Sequence, residues 1–240
     1  MIEITSVSKT YSGKVKAVDN LTLTIHPGEI IGFIGPNGAG KTTTIKMMTG
    51  ILKPDSGSIK LNGIDIQEQP LEAKRQFGYV SDNPDLFLRL KGIEYLNFMA
   101  DIYEVDVNDR RERISRYADM FEMKSALSDK ILSYSHGMRQ KIILMGVLIH
   151  DPSIWILDEP LTGLDPQSAY SLKETMRLQA DLGKTVFFST HVLEVAEKLC
   201  TKVAIINKGQ ILYYGTLDEL KKTHEGKSLE EIFLEVTNHA

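Results

Sequence analysis

A single cysteine, Cys200, stands in 240 residues. One thiol excludes an internal disulfide and a cysteine-built metal cluster and agrees with a reducing compartment. On its apolar, helix-like stretch it reads as core. Long apolar runs are also missing: the longest, Ile142 to Ile149, falls far short of the roughly 20 residues that a membrane-spanning helix needs. The chain is therefore expected to cross no bilayer by itself. The opening Met1-Ile-Glu-Ile-Thr-Ser-Val7 alternates like a strand and lacks the basic and apolar regions of a secretory leader, so a cytosolic start is expected. Positive charge is not in surplus either. The net charge of −4 comes from 28 basic and 32 acidic residues mixed along the chain, which leaves no polybasic strip for nucleic acid or anionic lipid. No nucleic-acid partner and no covalent lipid are expected, and there is no internal repeat, low-complexity linker or sustained heptad pattern.

What is present is material for an interior: 42% of residues are apolar, enough to fill a large α/β domain. Ile2 to Val7 and Leu21 to Ile25 alternate apolar and polar, with a turn-rich stretch at Tyr11-Ser-Gly-Lys14 between them, and predict an antiparallel edge. Ile30 to Ile34, Ile154 to Leu157, Val186 to Phe188 and Val203 to Ile206 do not alternate and are separated by helix-length segments. That pattern predicts parallel strands covered on both faces. Between about Asn83 and His150 the spacing turns helical, with Ile93, Leu96, Ala100 and Tyr103, then Ile114, Tyr117, Ala118 and Phe121. A helical subdomain is thus inserted into the sheet, its last helix starting near the N-cap residue Ser135 and ending before Asp151-Pro152. Gly209 to Tyr214 reads as a short hairpin arm, and Ser228 with Glu231 as the capping box of a final helix. The expected division is an α/β core at 1–82 and 151–215, a helical subdomain at 83–150 and a helical tail at 216–240.

The most informative segment is Gly35, Pro36, Asn37, Gly38, Ala39, Gly40, Lys41 and Thr42, followed by Thr43. It joins the Ile30–Ile34 strand to a helix, the context that a phosphate-binding loop requires. Glycines let successive backbone N–H groups turn inward toward an anion. Lys41 adds a point charge for the β and γ phosphates, Thr42 a hydroxyl for Mg²⁺, and the helix its positive end. ATP and Mg²⁺ are the implied cofactors.

Ile154-Trp-Ile-Leu-Asp158-Glu159 supplies a second part, a buried strand ending in two carboxylates where α/β sheets place their ligands. Asp158 is the candidate magnesium ligand, directly or through water, and Glu159 the group that polarises an attacking water. His191 follows another apolar strand that ends in Ser189-Thr190. It is expected at the same sheet edge, where an imidazole can donate to the γ-phosphate and orient the water.

The ordered set Gly35 to Thr42, Ser135-His-Gly-Met-Arg-Gln140, Ile154 to Pro160, Gly163-Leu-Asp165 and Thr190-His191 resembles the ATP-binding subunit of ABC transporters across essentially the whole chain. The resemblance implies a P-loop NTPase core with a mostly parallel sheet, an N-terminal antiparallel β edge and an inserted α-helical subdomain. It also implies that two such subunits, two copies or a copy with a paralogue, sandwich two ATP molecules. Ser135 and Gly137 of one would then face the phosphate loop of the other. Asp165 occupies the place of the residue that links the two sites across the interface, and Tyr11 that of the aromatic that stacks on adenine. Further implied partners are integral membrane permease subunits, met on the cytoplasmic face, with Phe87, Leu88 and Met99 as candidates to line the groove that grips them.

Two departures stand out. The usual Leu-Ser-Gly-Gly-Gln signature reads Tyr134-Ser-His-Gly-Met138, a form that looks like the branch of bacterial drug, antibiotic and sodium exporters, as does the ending Ser228-Leu-Glu-Glu-Ile-Phe-Leu234. The family's glutamine that contacts Mg²⁺ and the attacking water aligns with Asp82, which is kept as a candidate metal ligand although its charge adds repulsion near the γ-phosphate. The expected activity is ATP hydrolysis coupled to transport, export above uptake. One alternative is an ABC-type ATPase acting on nucleic acid or ribosomes. A P-loop kinase would leave Ser135 to Gln140 unexplained.

Overall fold

The computed structural model of the protein describes residues 1–11, 15–224 and 226–238. Strand β1 (Ile2–Tyr11), β2 (Val15–Ile25) and β3 (Ile30–Ile34) lead into helix α1 (Lys41–Met48), followed by β4 (Ser56–Leu61), β5 (Ile64–Asp65), α2 (Pro70–Arg75) and β6 (Phe77–Val80). Helices α3 (Gly92–Ile102), α4 (Val107–Met120) and α5 (His136–Ile149) come next. Then follow β7 (Ile154–Asp158), α6 (Pro166–Asp181), β8 (Thr185–Thr190), α7 (Leu193–Leu199), β9 (Lys202–Asn207), β10 (Gln210–Gly215), α8 (Leu217–Thr223) and α9 (Leu229–Asn238).

The larger sheet runs β10-β9-β3-β8-β7-β6. Its β9–β3, β3–β8, β8–β7 and β7–β6 pairs are parallel, and only β10 is antiparallel to its neighbour. The unbroken apolar strands sort their side chains by the two-residue period of a pleated strand. Ile154 and Ile156 of β7 join one apolar cluster with Ile45, Met47 and Met48 of α1 and with the inner face of the antiparallel sheet. Trp155 and Leu157 join the other, with α3, α4, α5 and α6. Burial on both faces is why these strands carry no polar alternation.

The smaller sheet, β2-β1-β4-β5, is antiparallel throughout. Both of its first strands run further toward the turn than their alternation predicts. The core of the expected turn, residues 12–14, lies outside the described residues. The sequence reading missed β4, which supplies the inner partner of β1 through pairs such as Ile2 with Leu61.

Between β6 and β7 the chain is helical. Tyr95, Leu96 and Ala100 of α3 and Ile114, Tyr117 and Ala118 of α4 are buried, and both helices cover α5, which is buried without a break from Gln140 to Ile149. A helix apolar all round belongs in an interior. Ser135 is its N-cap, with Oγ accepting from Met138 N at 3.3 Å. At the chain's other end, Ser228 N donates to Glu231 Oε2 at 2.8 Å and Glu231 N to Ser228 Oγ at 3.2 Å, closing the capping box of α9. Cys200 follows α7 and packs its Sγ toward Gly32. Burial raises its thiol pKa, so it is an inert core thiol.

Candidate functional site

Strand β3 ends at Ile34, and the chain turns through Gly35 to Gly40 before α1 begins at Lys41. The turn closes only because Gly40 adopts φ 108°, where a Cβ would lie 2.4 Å from the Ala17 carbonyl oxygen. No side chain caps α1, so its N-terminal N–H groups are available to a ligand. Lys41 is 8% exposed. Its Nζ donates to the carbonyl oxygens of Gly35 at 2.6 Å and Pro36 at 3.2 Å. Burial lowers its pKa, opposed by the carboxylates of Glu159 and Asp158.

Those carboxylates arrive on β7. Asp158 is 1% exposed and accepts from Ser189 Oγ at 2.5 Å. Its second oxygen, Oδ2, is buried and has no hydrogen-bond partner among the described residues. Burial raises the Asp158 pKa and the nearby charges of Asp82 and Glu159 add to it, while the hydroxyls of Ser189 and, more weakly, Thr42 oppose it. Glu159 sits at φ 48°, a left-handed conformation uncommon outside glycine. Its N–H donates to Ser189 Oγ at 3.0 Å, and its Oε1 lies 3.0 Å from His191 Nδ1. Ser189 is fully buried and holds both acidic residues through one hydroxyl, a role the sequence reading missed. Its signal was a polar residue at the end of an apolar strand, and parallel pairing puts it opposite Asp158. Asp82 follows β6, the strand beside β7, and accepts from Ser81 Oγ at 3.1 Å.

These elements enclose a cavity of about 360 Å³ lined by Ala17, Asn37, Gly38, Gly40, Lys41, Thr42, Thr43, Asp82, Asp158 and Glu159. Gly35, Pro36 and Ala39 form the turn behind it, and His191, exposed, stands against Glu159 outside the lining. Among the described residues no three His, Cys, Asp or Glu side chains converge as a metal cage. The cavity instead offers the unpartnered Asp158 Oδ2 and the Thr42 hydroxyl. That donor set suits a hard cation that keeps water and phosphate oxygens in its shell.

The other predicted residues lie elsewhere. Ser135 and Gly137 open α5, and Asp165 caps α6, accepting from Ser168 N at 2.9 Å. The Lys141 ammonium of α5, 2.7 Å from Asp165 Oδ2, is the main cause holding that carboxyl far below the usual carboxylate range, with Ser168 adding to it. A Cβ on Gly137 would sit 2.6 Å from the Gly163 carbonyl oxygen, so the α5 end and the 163–165 turn are in close contact. Tyr11, 41% exposed, pairs with Val15 at the end of the β1–β2 ladder, and it does not line the cavity. Phe87 is exposed and stacks near Tyr95 and Phe98, at ring-centre distances of 5.1 and 5.7 Å, while Leu88 and Met99 pack against the α3–α5 core.

The family model described as ABC transporter matches residues 18–162. ABC transporter ATP-binding protein NatA of Bacillus subtilis is 35% identical over 238 residues, covering 98% of this chain and 97% of that protein. A solved structure of the ATP-binding subunit of an ABC transporter superposes with a TM-score of 0.94 at 32% identity, covering 98% of this chain and 99% of that one. A dimeric ATP-binding cassette in a post-hydrolysis state, bound to ADP and Pi, superposes with a TM-score of 0.81 at 25% identity, covering 90% and 99%. No helix among the described residues is long and apolar enough to cross a membrane.

Proposed function

The chain belongs to the ABC transporter family, and from that premise we propose how its two clusters of functional residues divide the work. The protein is an ATP-binding, ATP-hydrolysing subunit of an ABC transporter. A cassette acting on nucleic acid or ribosomes is not favoured by its relatives.

Phosphates of ATP enter the cavity from the solvent side and meet the backbone N–H groups of Gly38 to Thr43. Lys41 then exchanges its carbonyl contacts for the β and γ phosphates, which restores the charge that burial disfavours. A bound magnesium ion would neutralise phosphate charge. Thr42 and the free oxygen of Asp158 are the side chains that would hold it, with Asp82 reached through water. Glu159 polarises the water that attacks the γ-phosphorus, accepting its proton as the bond to ADP breaks and inorganic phosphate leaves. Once Glu159 carries that proton, its carboxyl donates to His191 Nδ1 across the 3.0 Å contact, which leaves the Nε2–H of the imidazole to donate to the departing phosphate.

Ser135 and Gly137 cap the γ-phosphate of the ATP bound by a second subunit, a copy or a paralogue, and Asp165 fixes the geometry of that corner. Tyr11 stacks on adenine. The core at 1–82 and 151–215, the helical subdomain at 83–150 and the tail at 216–240 move as the units of this cycle. Membrane permease subunits dock near Phe87, Leu88 and Met99 on the cytoplasmic face, and the signature form favours export.

The carrying observation is the convergence of Lys41, Thr42, Asp158 and Glu159 on one cavity. Glu159→Gln should trap an ATP-dependent dimer, measured by light scattering after size exclusion. A strictly monomeric variant at saturating ATP, with the permease subunits supplied, would overturn the reading.

A further inference from the structure

Asp82 touches the phosphate cavity, yet its segment is tied to the far cluster by a continuous set of polar contacts. Ser81 Oγ donates to Asp82 Oδ1 at 3.1 Å and accepts from Asn83 N at 3.3 Å. Asn83 Oδ1 accepts from Asp85 N at 3.0 Å, and Asp85 Oδ1 accepts from Arg139 Nη1 at 2.6 Å. Arg139 lies one turn into α5, its N–H bonded to the Ser135 carbonyl at 3.0 Å. The path therefore runs from a carboxylate in the cavity to the N-cap of the helix that meets the opposite subunit.

Arg139 is held for this task. Its Nη2 donates to the Leu132 carbonyl at 2.9 Å, and the side chain is 21% exposed, with Nε buried and without a partner among the described residues. A cation partly removed from water is screened less than a surface one, and its planar fork holds the 51% exposed Asp85 together with the Leu132 carbonyl. Among the described residues the remaining hydrogen bonds between the same two segments are backbone bonds, Leu132 N to Leu88 O and Ile131 N to Leu90 O, both 2.9 Å, and Leu88 and Leu90 add apolar packing. They lie beyond Phe87, whose φ of 54° marks a bend in the chain. Asp85–Arg139 is thus the side-chain link on the cavity side of that bend.

We propose that the Asp85–Arg139 ion pair positions the Ser135 end of α5 according to what occupies the cavity beside Asp82. The pair touches no substrate. It is a positioning pair that transmits occupancy of one site to the surface that closes the other. The inference rests on the dimeric reading above. A ligand that draws Asp82 toward it pulls residues 81–85, and Arg139 carries the displacement into the first turn of α5. Coupling of this kind needs two groups whose effects are not additive.

The test is a charge exchange. Asp85→Arg, Arg139→Asp and the double variant are made in the Glu159→Gln chain for ATP binding and dimerisation, and in the otherwise unaltered chain for turnover. Each single change should leave the ATP affinity of the monomer, read by calorimetry, within about threefold, while dimerisation and kcat fall about tenfold. The double variant should recover at least half of that loss. Asp85→Asn and Arg139→Gln, with melting curves for all forms, provide milder versions if either reversal fails to fold. Single variants that dimerise and turn over within twofold of the parent would overturn the inference. So would a double variant showing the full sum of the two losses. If the parent Glu159→Gln chain itself never dimerises with ATP, the dimeric reading fails first and the positioning role falls with it.

Discussion

The phosphate cavity and the α5–α6 corner are both built on helix N-termini, but their charges are in opposite states. In the cavity, burial pushes Lys41 and Asp158 toward their neutral forms. At the corner, Asp165 is pushed toward its charged form by Lys141 and the first turn of α6. The cavity is therefore unsatisfied until a polyanion and a cation arrive, whereas the corner is complete as it stands. Stored electrostatic cost marks the place where ligand binding is rewarded, and a satisfied end has no such cost to release.

Replacing a group at the centre of the cavity gives the largest expected effect. Glu159→Gln removes the proton acceptor while preserving shape, so phosphate release should fall by roughly 10²- to 10⁴-fold with ATP affinity nearly unchanged by calorimetry. Retained turnover would take Glu159 out of the chemistry.

Lys41→Ala comes next. Loss of a charge-assisted contact, about 1.5–3 kcal/mol, should weaken ATP binding by roughly ten- to a hundredfold. Unchanged affinity would mean that the buried ammonium serves only the carbonyls of Gly35 and Pro36.

Gly137→Ala probes the corner. With its Cβ 2.6 Å from a backbone oxygen, either the α5 end or the Gly163 turn must shift, at about 1–3 kcal/mol. Melting should fall and ATP-driven dimerisation weaken while the monomer's ATP affinity holds. Equal loss of monomer affinity would show that the two regions are not separable.

The smallest effect, on melting of the empty protein and not on activity, runs in the opposite direction. A carboxyl with a raised folded pKa favours folding when protonated, and that contribution is lost as pH rises from the unfolded value, near 3.9, through the folded one. Above that range the ionised Asp158 costs stability in the ligand-free protein. Asp158→Asn should therefore raise the melting temperature of the empty protein at pH 7 by about 2–4 °C and abolish magnesium-dependent hydrolysis. The stabilisation should disappear toward pH 4. A variant less stable than the parent at pH 7 would refute the idea that the cavity stores cost.

Much of the cavity lining was readable because its information is local. The glycine turn, Lys41 and Thr42 are consecutive, and Asp158-Glu159 follow directly from a buried strand. The helix boundary at Ser135 was equally local, since an N-cap serine and a downstream Asp151-Pro152 act within one turn of themselves. β4 was missed because its value lies in pairing with β1 across more than fifty residues of chain, as Ile2 does with Leu61. Ser189 escaped for a similar reason: its hydroxyl gains meaning only when β8 lies in register with β7 and presents it to Asp158 and to the Glu159 N–H. Gly137 was expected to face the phosphate loop of a second subunit, and only the fold shows that the Gly163 carbonyl oxygen lies 2.6 Å from where its Cβ would stand.

The order of residues by itself determined the motifs, the alternation of strands and helices, and the family to which the chain belongs, because turn geometry, capping and hydrophobic period act over a few residues. Only the tertiary structure decided which charged groups are frustrated and which are satisfied. Desolvation, the orphaned oxygen of Asp158, the Lys141–Asp165 pair and the Asp85–Arg139 link all depend on segments far apart in the chain meeting in space, where distance and exclusion of water set the energy.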